Sequence, residues 1–254
     1  CRVRLACYTG PAMETPIGHQ HPITQMIAEI NEIFAGLGFV FAEGPEVETE
    51  HYNFDRLNVP KDHPSRDLQD TFWFKSKDVA EPTVLRTHTS PVQARYLEAH
   101  HDNLPIRIIA PGKVFRNEAT DATHEAQFYQ FEGLYVDQDV HLGHLKGTLE
   151  HFFSKFFHGR TEVRLRPGYF PFVEPGVEVD MRLVEGESKL VGKWIEVMGA
   201  GMVHPNVLRD SGVDPNLYSG FAFGMGIDRL GVMKYGVEDV RDYYSGDLRF
   251  VHQF

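Results

Sequence analysis

The chain has 254 residues, of which 42% are hydrophobic, and a formal net charge of -11 at pH 7. This length supports one sizeable core, with or without a small appended subdomain, and the acidic balance argues against a broad surface that coats nucleic acid. No apolar run approaches the roughly 20 residues that span a bilayer, and the first residues lack the apolar core of a secretory signal, so we expect a cytoplasmic protein without membrane contact.

The first 20 residues are predicted to form an irregular lead-in, because they are rich in Gly, Pro and Thr. The only cysteines, Cys1 and Cys7, fall in this segment and support neither a disulfide framework nor a four-ligand zinc site. Since the chain begins with Cys rather than Met, we expect an N-terminal region to precede it.

The next part of the chain is predicted to contain a helix, a strand and a second helix. Apolar residues recur at three- and four-residue steps in HPITQMIAEINEIFAGLGF, where Pro22 suits the first turn and Gly38 suits the end. A short strand, FVFAEGPEVE, is followed by a predicted loop from His51 to Arg66, and TSPVQARYLEAHH is predicted to be the second helix.

The stretch VFRNEATDATHEAQFYQFEG predicts two strands around a polar loop. Because successive strand side chains alternate between faces, pairing of the two strands as a hairpin would place one guanidinium, two carboxylates, an amide and an aromatic ring side by side. The residues of this shared face are Arg116, Glu118, Phe128, Gln130 and Glu132. Such a face is poorly suited to burial against a core, so we expect it to bind a ligand.

The second half of the chain is rich in predicted strands. A helix from Leu142 to Phe157 precedes short strands around VRLRP, YFPFVEP, VEVDMRLV and KWIEVMGAGMV, then a turn-rich NVLRDSGVDPN, and finally FAFGMGIDRLGVMKYG, a strand that runs into a helix. Helices do not alternate regularly with these strands. The pattern therefore favours an α+β fold, an antiparallel sheet flanked by helices, over a doubly wound fold.

Two short motifs are ambiguous on their own. The glycines of FGMGIDR are explained either by close packing of a helix on a strand or by a nucleotide that approaches the backbone while Arg229 reaches a phosphate. In YFPF, Phe170 and Phe172 are predicted to share a strand face, which suits core packing or an aromatic pocket wall. Pro171 between them favours an edge or a pocket wall.

Together, three elements resemble in their order the signature motifs of class II aminoacyl-tRNA synthetases: the helix and strand that end at Pro45, the FRNE hairpin, and the G-x-G-x-x-R element that ends at Arg229. Longer stretches are similar to the alpha subunit of bacterial phenylalanyl-tRNA synthetase, and this resemblance covers nearly everything from His21 to Phe254. These stretches are NFD, DHPSRD, DTFW, RTHTSP, DATHEAQFYQFEG, YFPFVEPG, GAGMVHPNVL and FAFGMGIDR.

The resemblance implies a class II catalytic domain over residues 21–254 that activates L-phenylalanine with ATP and Mg²⁺ and transfers it to tRNA(Phe). It also implies an alpha2beta2 assembly in which editing belongs to the beta subunit, and an N-terminal helical arm that contacts tRNA and would precede this chain. Two alternatives remain open. One is a catalytically silent synthetase-like protein with a regulatory or binding role, and the other is a biotin or lipoate ligase, against which the FRNE hairpin and the G-x-G-x-x-R element argue.

For the nucleotide, the resemblance implies roles for five residues. Arg116 would bind the α-phosphate, and its planar guanidinium suits this role better than the ammonium of a lysine. Phe128 would stack on the adenine, with Arg229 closing the other side near the γ-phosphate. Glu118 would accept from the adenine amino group, and His124 would contact the outer phosphates. Arg116, His124 and Arg229 are therefore the expected catalytic residues.

For phenylalanine, the resemblance implies that Gln130 and Glu132 hold the substrate ammonium. Trp73, His88 and Ser90 would surround the polar end of the substrate. Edge-to-face contacts with an aromatic wall would hold the substrate ring.

That wall is expected to consist of Phe170 and Phe172, with Ala222 leaving room for the tip of the substrate ring. Glu196, on the predicted strand KWIEV, is the candidate magnesium ligand.

Overall fold

The structure is a computed structural model that describes residues 18–67, 70–75, 81–185 and 190–254. Most of the predicted lead-in lies outside the described residues. Within them the α-helices are Pro22–Ala35 (α1), Glu50–Asn53 (α2), Ser90–His100 (α3), Leu142–Phe156 (α4), Pro205–Asp210 (α5), Ile227–Tyr235 (α6) and Leu248–Val251 (α7). The strands are Val40–Phe41 (β1), Val47–Thr49 (β2), Thr83–Leu85 (β3), Ile106–Phe115 (β4), Gln127–Asp137 (β5), Thr161–Phe170 (β6), Val173–Leu183 (β7), Ile195–Val203 (β8) and Ser219–Gly226 (β9).

A seven-stranded sheet in the order β1-β4-β5-β9-β8-β7-β6 organises the molecule, and β2 and β3 form a separate antiparallel pair. Every neighbouring pair in the large sheet is antiparallel except β1 and β4, which are parallel. A parallel pair needs a long crossover, and the segment between β1 and β4, which contains α2 and α3, provides it. The predicted α+β fold is confirmed, with one parallel edge strand in an otherwise antiparallel sheet.

Helices α1, α4 and α6 pack on one face of the sheet and build the main hydrophobic core. Phe34 of α1 lies fully buried at its centre, with its ring centroid 5.1 Å from that of Phe152 in α4 and 5.5 Å from that of Phe223 in β9. Stacked aromatic pairs at this separation add to the stabilisation from apolar burial. The opposite face is covered at one end by α3 and α5, which leaves the remainder of that face for the candidate site.

Strand β5 links the core to this open face. Phe131 points into the main core, so by strand alternation the neighbouring positions point the other way. Along that second face, polar Gln130 and Glu132 give way to Leu134 and Val136, which lie in the smaller apolar cluster under α3 and α5. The same face of β5 is therefore polar at Gln130 and Glu132 and apolar where it packs under α3 and α5.

Three expectations about local structure are wrong. The predicted loop from His51 to Arg66 contains α2 and two 3-10 turns, Asp55–Leu57 and Pro64–Arg66, and NVLRDSGVDPN begins inside α5. The hydroxyl of Thr49 caps α2 by accepting from the backbone N–H of Tyr52 at 3.3 Å, a start signal that the prediction overlooked.

The strand expected around YFPFVEP is also not a single strand: Phe170 ends β6, a turn follows, and Val173 begins β7. Phe172 lies in that turn, so Phe170 and Phe172 do not share a strand face as predicted. Among the described residues β6 pairs with no strand other than β7, and such an edge position tolerates Pro167. In the described part of the chain, no helix combines the length and the apolar character needed to cross a membrane.

Candidate active site

Two adjoining cavities open on the free face of the sheet. The first has a volume of about 350 Å³ and the second about 570 Å³. Three residues line both cavities: Arg116, Gln130 and Gly224. A ligand that filled both would pass directly over these three residues.

The β4–β5 hairpin supplies the wall between the cavities. Val114 pairs with Phe128 and Gly112 with Gln130, and paired residues in an antiparallel ladder present their side chains on the same face. Beyond the end of β4, the backbone N–H of Arg116 still donates to the carbonyl oxygen of Ala126 at 2.9 Å, which extends the ladder. The guanidinium carbon of Arg116 lies 5.1 Å from the centroid of the Phe128 ring, so the predicted hairpin does bring these side chains together.

Glu132 lies at the closed end of the first cavity and is only 5% exposed. Its carboxylate accepts hydrogen bonds from the backbone N–H of Thr89 at 3.0 Å, the Ser90 hydroxyl at 2.5 Å, and the side-chain amides of Gln93 at 3.2 Å and Gln130 at 3.0 Å. Burial raises the pKa of Glu132 to about 7, although these hydrogen bonds oppose the shift. The start of α3 at Ser90 also favours a negative charge here.

The side-chain oxygen of Gln130 is buried beside this carboxylate and has no hydrogen-bond partner among the described residues. An unsatisfied buried acceptor is costly, and a donor from a ligand would satisfy it. Together, the Gln130 oxygen and the Glu132 carboxylate form an acceptor pair that suits an ammonium group.

Two glycines on paired strands provide the floor of the first cavity. Gly199 of β8 pairs with Gly224 of β9. A Cβ atom on Gly224 would lie 2.8 Å from the Cγ of Glu132 and 3.0 Å from the amide nitrogen of Gln130, and one on Gly199 would lie 2.7 Å from the Phe170 ring. The absent side chains therefore let the polar pair and the aromatic ring lie directly on the sheet.

The other end of the first cavity is apolar. The rings of Phe170 and Phe172 are nearly parallel, with an interplanar angle of 22° and centroids 6.0 Å apart, and both line the cavity with Ala222. Beyond Ala222 lies a small void of about 10 Å³ that is walled largely by aliphatic side chains. These side chains are Leu57, Ala94, Leu97, Leu134, Val203 and Val207.

His88 contributes a neutral imidazole to the first cavity. Burial lowers its pKa to about 3, and the positive charges of Arg116 and Arg86 act in the same direction. Its Nδ1 atom is buried without a hydrogen-bond partner in the described part of the chain. Arg86, which the sequence did not single out, donates to the carbonyl oxygens of Gly44 at 3.0 Å and Lys113 at 2.8 Å and so holds the segment before β2 against β4.

The second cavity lies between the polar hairpin loop and the start of α6. Asp121 organises the loop by accepting from the backbone N–H groups of Thr123 at 2.7 Å and His124 at 2.9 Å. These bonds to the carboxylate lower its pKa well below the usual range. Val240 donates its backbone N–H to the carbonyl oxygen of Ala122 at 3.0 Å, which ties the loop to the C-terminal part of the chain.

Predicted residues line this cavity, and the Nδ1 atom of His124 lies 3.1 Å from the Asp121 carboxylate. The lining includes Glu118, His124, Phe128 and Arg229. Arg229 is exposed, and within the described ranges no hydrogen bond or ion pair engages its guanidinium. The position of a free cation over a cavity suits an anionic ligand.

Asp228 precedes Arg229 in α6, also lines the second cavity, and was missed by the sequence reasoning. Its carboxylate is buried and accepts from the backbone N–H of Tyr129 at 2.9 Å and from the hydroxyl of Tyr244 at 2.5 Å. Burial raises the pKa of Asp228 and that of Tyr244. The acid in the first turn of α6 is a local sequence signal, but its partners lie far along the chain.

Two predicted site residues lie elsewhere. Trp73 does not line either cavity; its indole N–H donates to the carbonyl oxygen of Arg66 at 3.2 Å, and its ring stacks on Phe54. Glu196 accepts from Arg166 at 2.9 Å outside both cavities. Among the described residues, no group of three or more His, Cys, Asp or Glu side chains is placed to hold a metal ion. Mg²⁺ is usually bound by one or two carboxylates together with substrate phosphates, so Glu196 as a magnesium ligand stays a prediction.

The other predicted residues are divided between the cavities as expected. The first cavity is lined by His88, Ser90, Gln130, Glu132, Phe170, Phe172 and Ala222. His63, Ser65 and Gln93 also line it, although the sequence reasoning gave them no role.

Comparison with known proteins defines the class. The family described as "tRNA synthetases class II core domain (F)" matches residues 8–254. The structure is also similar to the pyrrolysyl-tRNA synthetase from Desulfitobacterium hafniense, with a TM-score of 0.68 at 17% identity over 90% of this chain and 75% of that one, a likeness that shows the fold alone. The chain is thus a class II tRNA synthetase core.

Curated relatives define the family more narrowly. The phenylalanine–tRNA ligase alpha subunits of Halalkalibacterium halodurans and Bacillus pumilus are 53% and 51% identical to this chain over 251 residues, covering 97% of it and 72% of each relative. That of Enterococcus faecalis is 52% identical over 252 residues, covering 97% of this chain and 71% of the relative. The chain belongs to the phenylalanine–tRNA ligase alpha subunit family.

Proposed function

We propose that this protein activates L-phenylalanine with ATP and transfers the phenylalanyl group to tRNA(Phe), as the catalytic alpha subunit of a phenylalanine–tRNA ligase. The observation that carries the proposal is the junction of the two cavities at Arg116, Gln130 and Gly224. One cavity has acceptors for an ammonium and an apolar end. The other has an aromatic ring and the guanidinium of Arg229, which has no partner among the described residues. An amino acid and a nucleotide bound in them would meet at Arg116.

In this proposal the acceptor pair of Gln130 and Glu132 holds the substrate ammonium. The carboxylate is buried, so its attraction for a cation is strong, and the free Gln130 oxygen takes one further N–H. His88 stays neutral above pH 4 and can bond the polar end of the substrate without repelling its ammonium. Phe170 and Phe172 contact the ring, and Ala222 limits how far the ring can penetrate.

The same cavity would discriminate only partly against tyrosine. The para position of a bound ring would point past Ala222 toward the aliphatic void, where a hydroxyl would lose its hydrogen bonds to water. Apolar pockets reject an added hydroxyl by only about a hundredfold in comparable enzymes. We therefore expect slow activation of tyrosine.

In the nucleotide cavity, the adenine would stack on Phe128 with Arg229 on its other side, and Glu118 would accept from its amino group. Arg116 would contact the α-phosphate and His124 the outer phosphates. The phenylalanine carboxylate oxygen attacks the α-phosphorus, the bond from that phosphorus to pyrophosphate breaks, and phenylalanyl-adenylate remains. No protein nucleophile is needed, because Arg116 aligns both reactants and stabilises the charge that develops on phosphorus.

Transfer then occurs when a ribose hydroxyl of the tRNA terminal adenosine attacks the acyl carbonyl carbon and AMP leaves. Mg²⁺ would neutralise phosphate charge in this chemistry. Glu196, whose carboxylate accepts from Arg166, would be the candidate protein ligand, and the substrate phosphates would supply further oxygens.

We also propose that the chain works in the cytoplasm with a beta subunit, because its relatives carry the name of an alpha subunit. Exposed apolar side chains on β1, at the edge of the large sheet, and on the separate strand β2 support a protein partner. Val40 and Phe41 of β1 and Val47 at the start of β2 are each about half exposed.

The test is ATP/pyrophosphate exchange, screened with all the standard amino acids against the chain together with its copurifying partner. We expect exchange with phenylalanine and a weak signal with tyrosine. Absence of exchange with every amino acid from a folded, partner-bound sample would favour a catalytically silent synthetase-like protein.

A further inference from the structure

The aromatic wall of the first cavity stands at the end of an edge hairpin. Phe170 ends β6, Val173 begins β7, and the turn between them carries Phe172. The ladder between β6 and β7 shifts register just before this turn, and within the described ranges no further strand pairs with the outer side of β6. Strand pairing alone therefore holds the wall from only one side.

Two hydrogen bonds from outside the hairpin hold the turn. The side-chain amide nitrogen of Asn58 donates to the carbonyl oxygen of Pro171 at 2.7 Å, and the backbone N–H of His204 donates to that of Phe172 at 2.9 Å. Pro171 has no N–H, so this carbonyl is its only backbone hydrogen-bonding group. The Asn58 bond lies directly between the two aromatic residues in the chain.

Asn58 is itself held in position by a chain of polar contacts. Its backbone adopts a φ of 56°, a left-handed conformation that Asn tolerates better than most residues. Its side-chain oxygen accepts from the amide nitrogen of Asn206 at 3.0 Å, and the Asn206 oxygen accepts from Arg209 at 2.8 Å. Arg209 can only donate, so the Asn206 oxygen must accept from it and the Asn206 nitrogen must donate to the Asn58 oxygen. The Asn58 nitrogen is then the atom that donates to the carbonyl oxygen of Pro171.

We propose that Asn58 is a positioning residue for the aromatic wall and thereby sets the affinity and selectivity of the first cavity for an aromatic amino acid. Asn58 does not line the cavity, so it acts through Phe170 and Phe172. The consequence for phenylalanine rests on the proposed function, whereas the tether itself does not.

The kinetic test compares three variants of the partner-bound protein in phenylalanine-dependent ATP/pyrophosphate exchange. Asn58→Gly retains the left-handed backbone and removes both side-chain bonds, while Asn58→Asp retains the acceptor for Asn206 and replaces the donor to Pro171 with an oxygen. Asn216→Asp makes the same chemical change in an exposed turn and serves as the control.

We expect both Asn58 variants to raise the KM for phenylalanine about tenfold, with kcat and the KM for ATP changed less than about twofold. Their preference for phenylalanine over tyrosine should fall, and the control should match the wild type. An unchanged phenylalanine KM, or equal increases in both KM values, would overturn the proposal.

Amide hydrogen exchange tests the tether without any substrate. Faster exchange of residues 168–176 in both Asn58 variants, with the α1 and α4 amides unchanged, supports the positioning role. Unchanged exchange in 168–176 overturns it. If the wild type fails to activate phenylalanine, the proposed function is wrong, and this measurement still decides whether Asn58 holds the wall.

Discussion

The two cavities differ in how far their side chains are already committed to one another. In the first cavity, Glu132 accepts four hydrogen bonds and Phe170 lies directly on the backbone of Gly199. In the second cavity, Arg229 is exposed and has no hydrogen-bond or ion-pair partner within the described ranges. We infer that the first cavity selects its ligand by a fixed shape, while the second gathers a flexible polyanion with free charges.

The largest expected effect comes from adding a side chain at Gly224, which lines both cavities. Gly224→Ala would place a methyl group 2.8 Å from Glu132 and 3.0 Å from Gln130. We expect phenylalanine affinity to fall by about a hundredfold or more, because the ammonium acceptors must move. Calorimetric binding measures this. Gly147→Ala, on the exposed side of α4, adds a Cβ atom that meets no atom within 4 Å and should leave affinity unchanged. Retained affinity in Gly224→Ala would contradict the fixed-shape account.

Removing the free cation should affect only the other cavity. Arg229→Ala is expected to raise the KM for ATP about ten- to a hundredfold by loss of a charge-assisted contact, with phenylalanine affinity unchanged. Steady-state exchange at varied ATP measures it. The matched control is Arg249→Ala, since Arg249 is 91% exposed and pairs only locally with Asp247. Parallel loss of phenylalanine affinity would show that the cavities are not separable.

The pH dependence of phenylalanine binding should reflect Glu132. Burial raises its pKa to about 7. In the proposed function the substrate ammonium binds the ionised form. Protonation below pH 7 removes that form, so the Kd should rise about tenfold per pH unit as pH falls, and level off above about pH 8. Glu132→Gln should bind weakly with no such slope. A wild-type Kd that stays constant from pH 8 to pH 6 would exclude this role.

The smallest expected effect concerns the apolar end of the first cavity. Ala222→Gly joins the cavity to the void behind it, so para-substituted phenylalanines should be activated, while phenylalanine itself changes by about threefold or less. Competition assays with 4-chlorophenylalanine measure the selectivity. Ala99→Gly, on the exposed side of α3, is the control; unchanged discrimination would remove Ala222 from the pocket wall.

The spacing of residues close together in the sequence predicted one helix and the faces of two strands. Three- and four-residue spacing identified α1, and strand alternation placed Arg116 beside Phe128. The His-Pro start that marks α1 also begins α5, where His204 accepts the backbone N–H of Asn206, yet that second instance was predicted as a turn. A six-residue helix is too short to display periodicity.

Contacts between residues far apart in the sequence could not be predicted from local patterns. Thr89 and Gln93 reach Glu132 from a helix about 40 positions earlier, and the pairing of Gly199 with Gly224 depends on strand register. Trp73 was assigned by resemblance alone and lies outside both cavities. A residue type at a familiar place in a motif does not by itself specify which side chains line a cavity.

We propose that the two reactants meet at Arg116, which lines both cavities together with Gln130 and Gly224. The most direct test of this role is to measure phenylalanine binding by calorimetry and adenylate formation in a single turnover, both on Arg116→Ala in the partner-bound protein. We predict that adenylate formation falls by about a thousandfold or more while the Kd for phenylalanine changes less than about threefold. Equal losses of binding and of adenylate formation would contradict the account and assign Arg116 a structural role.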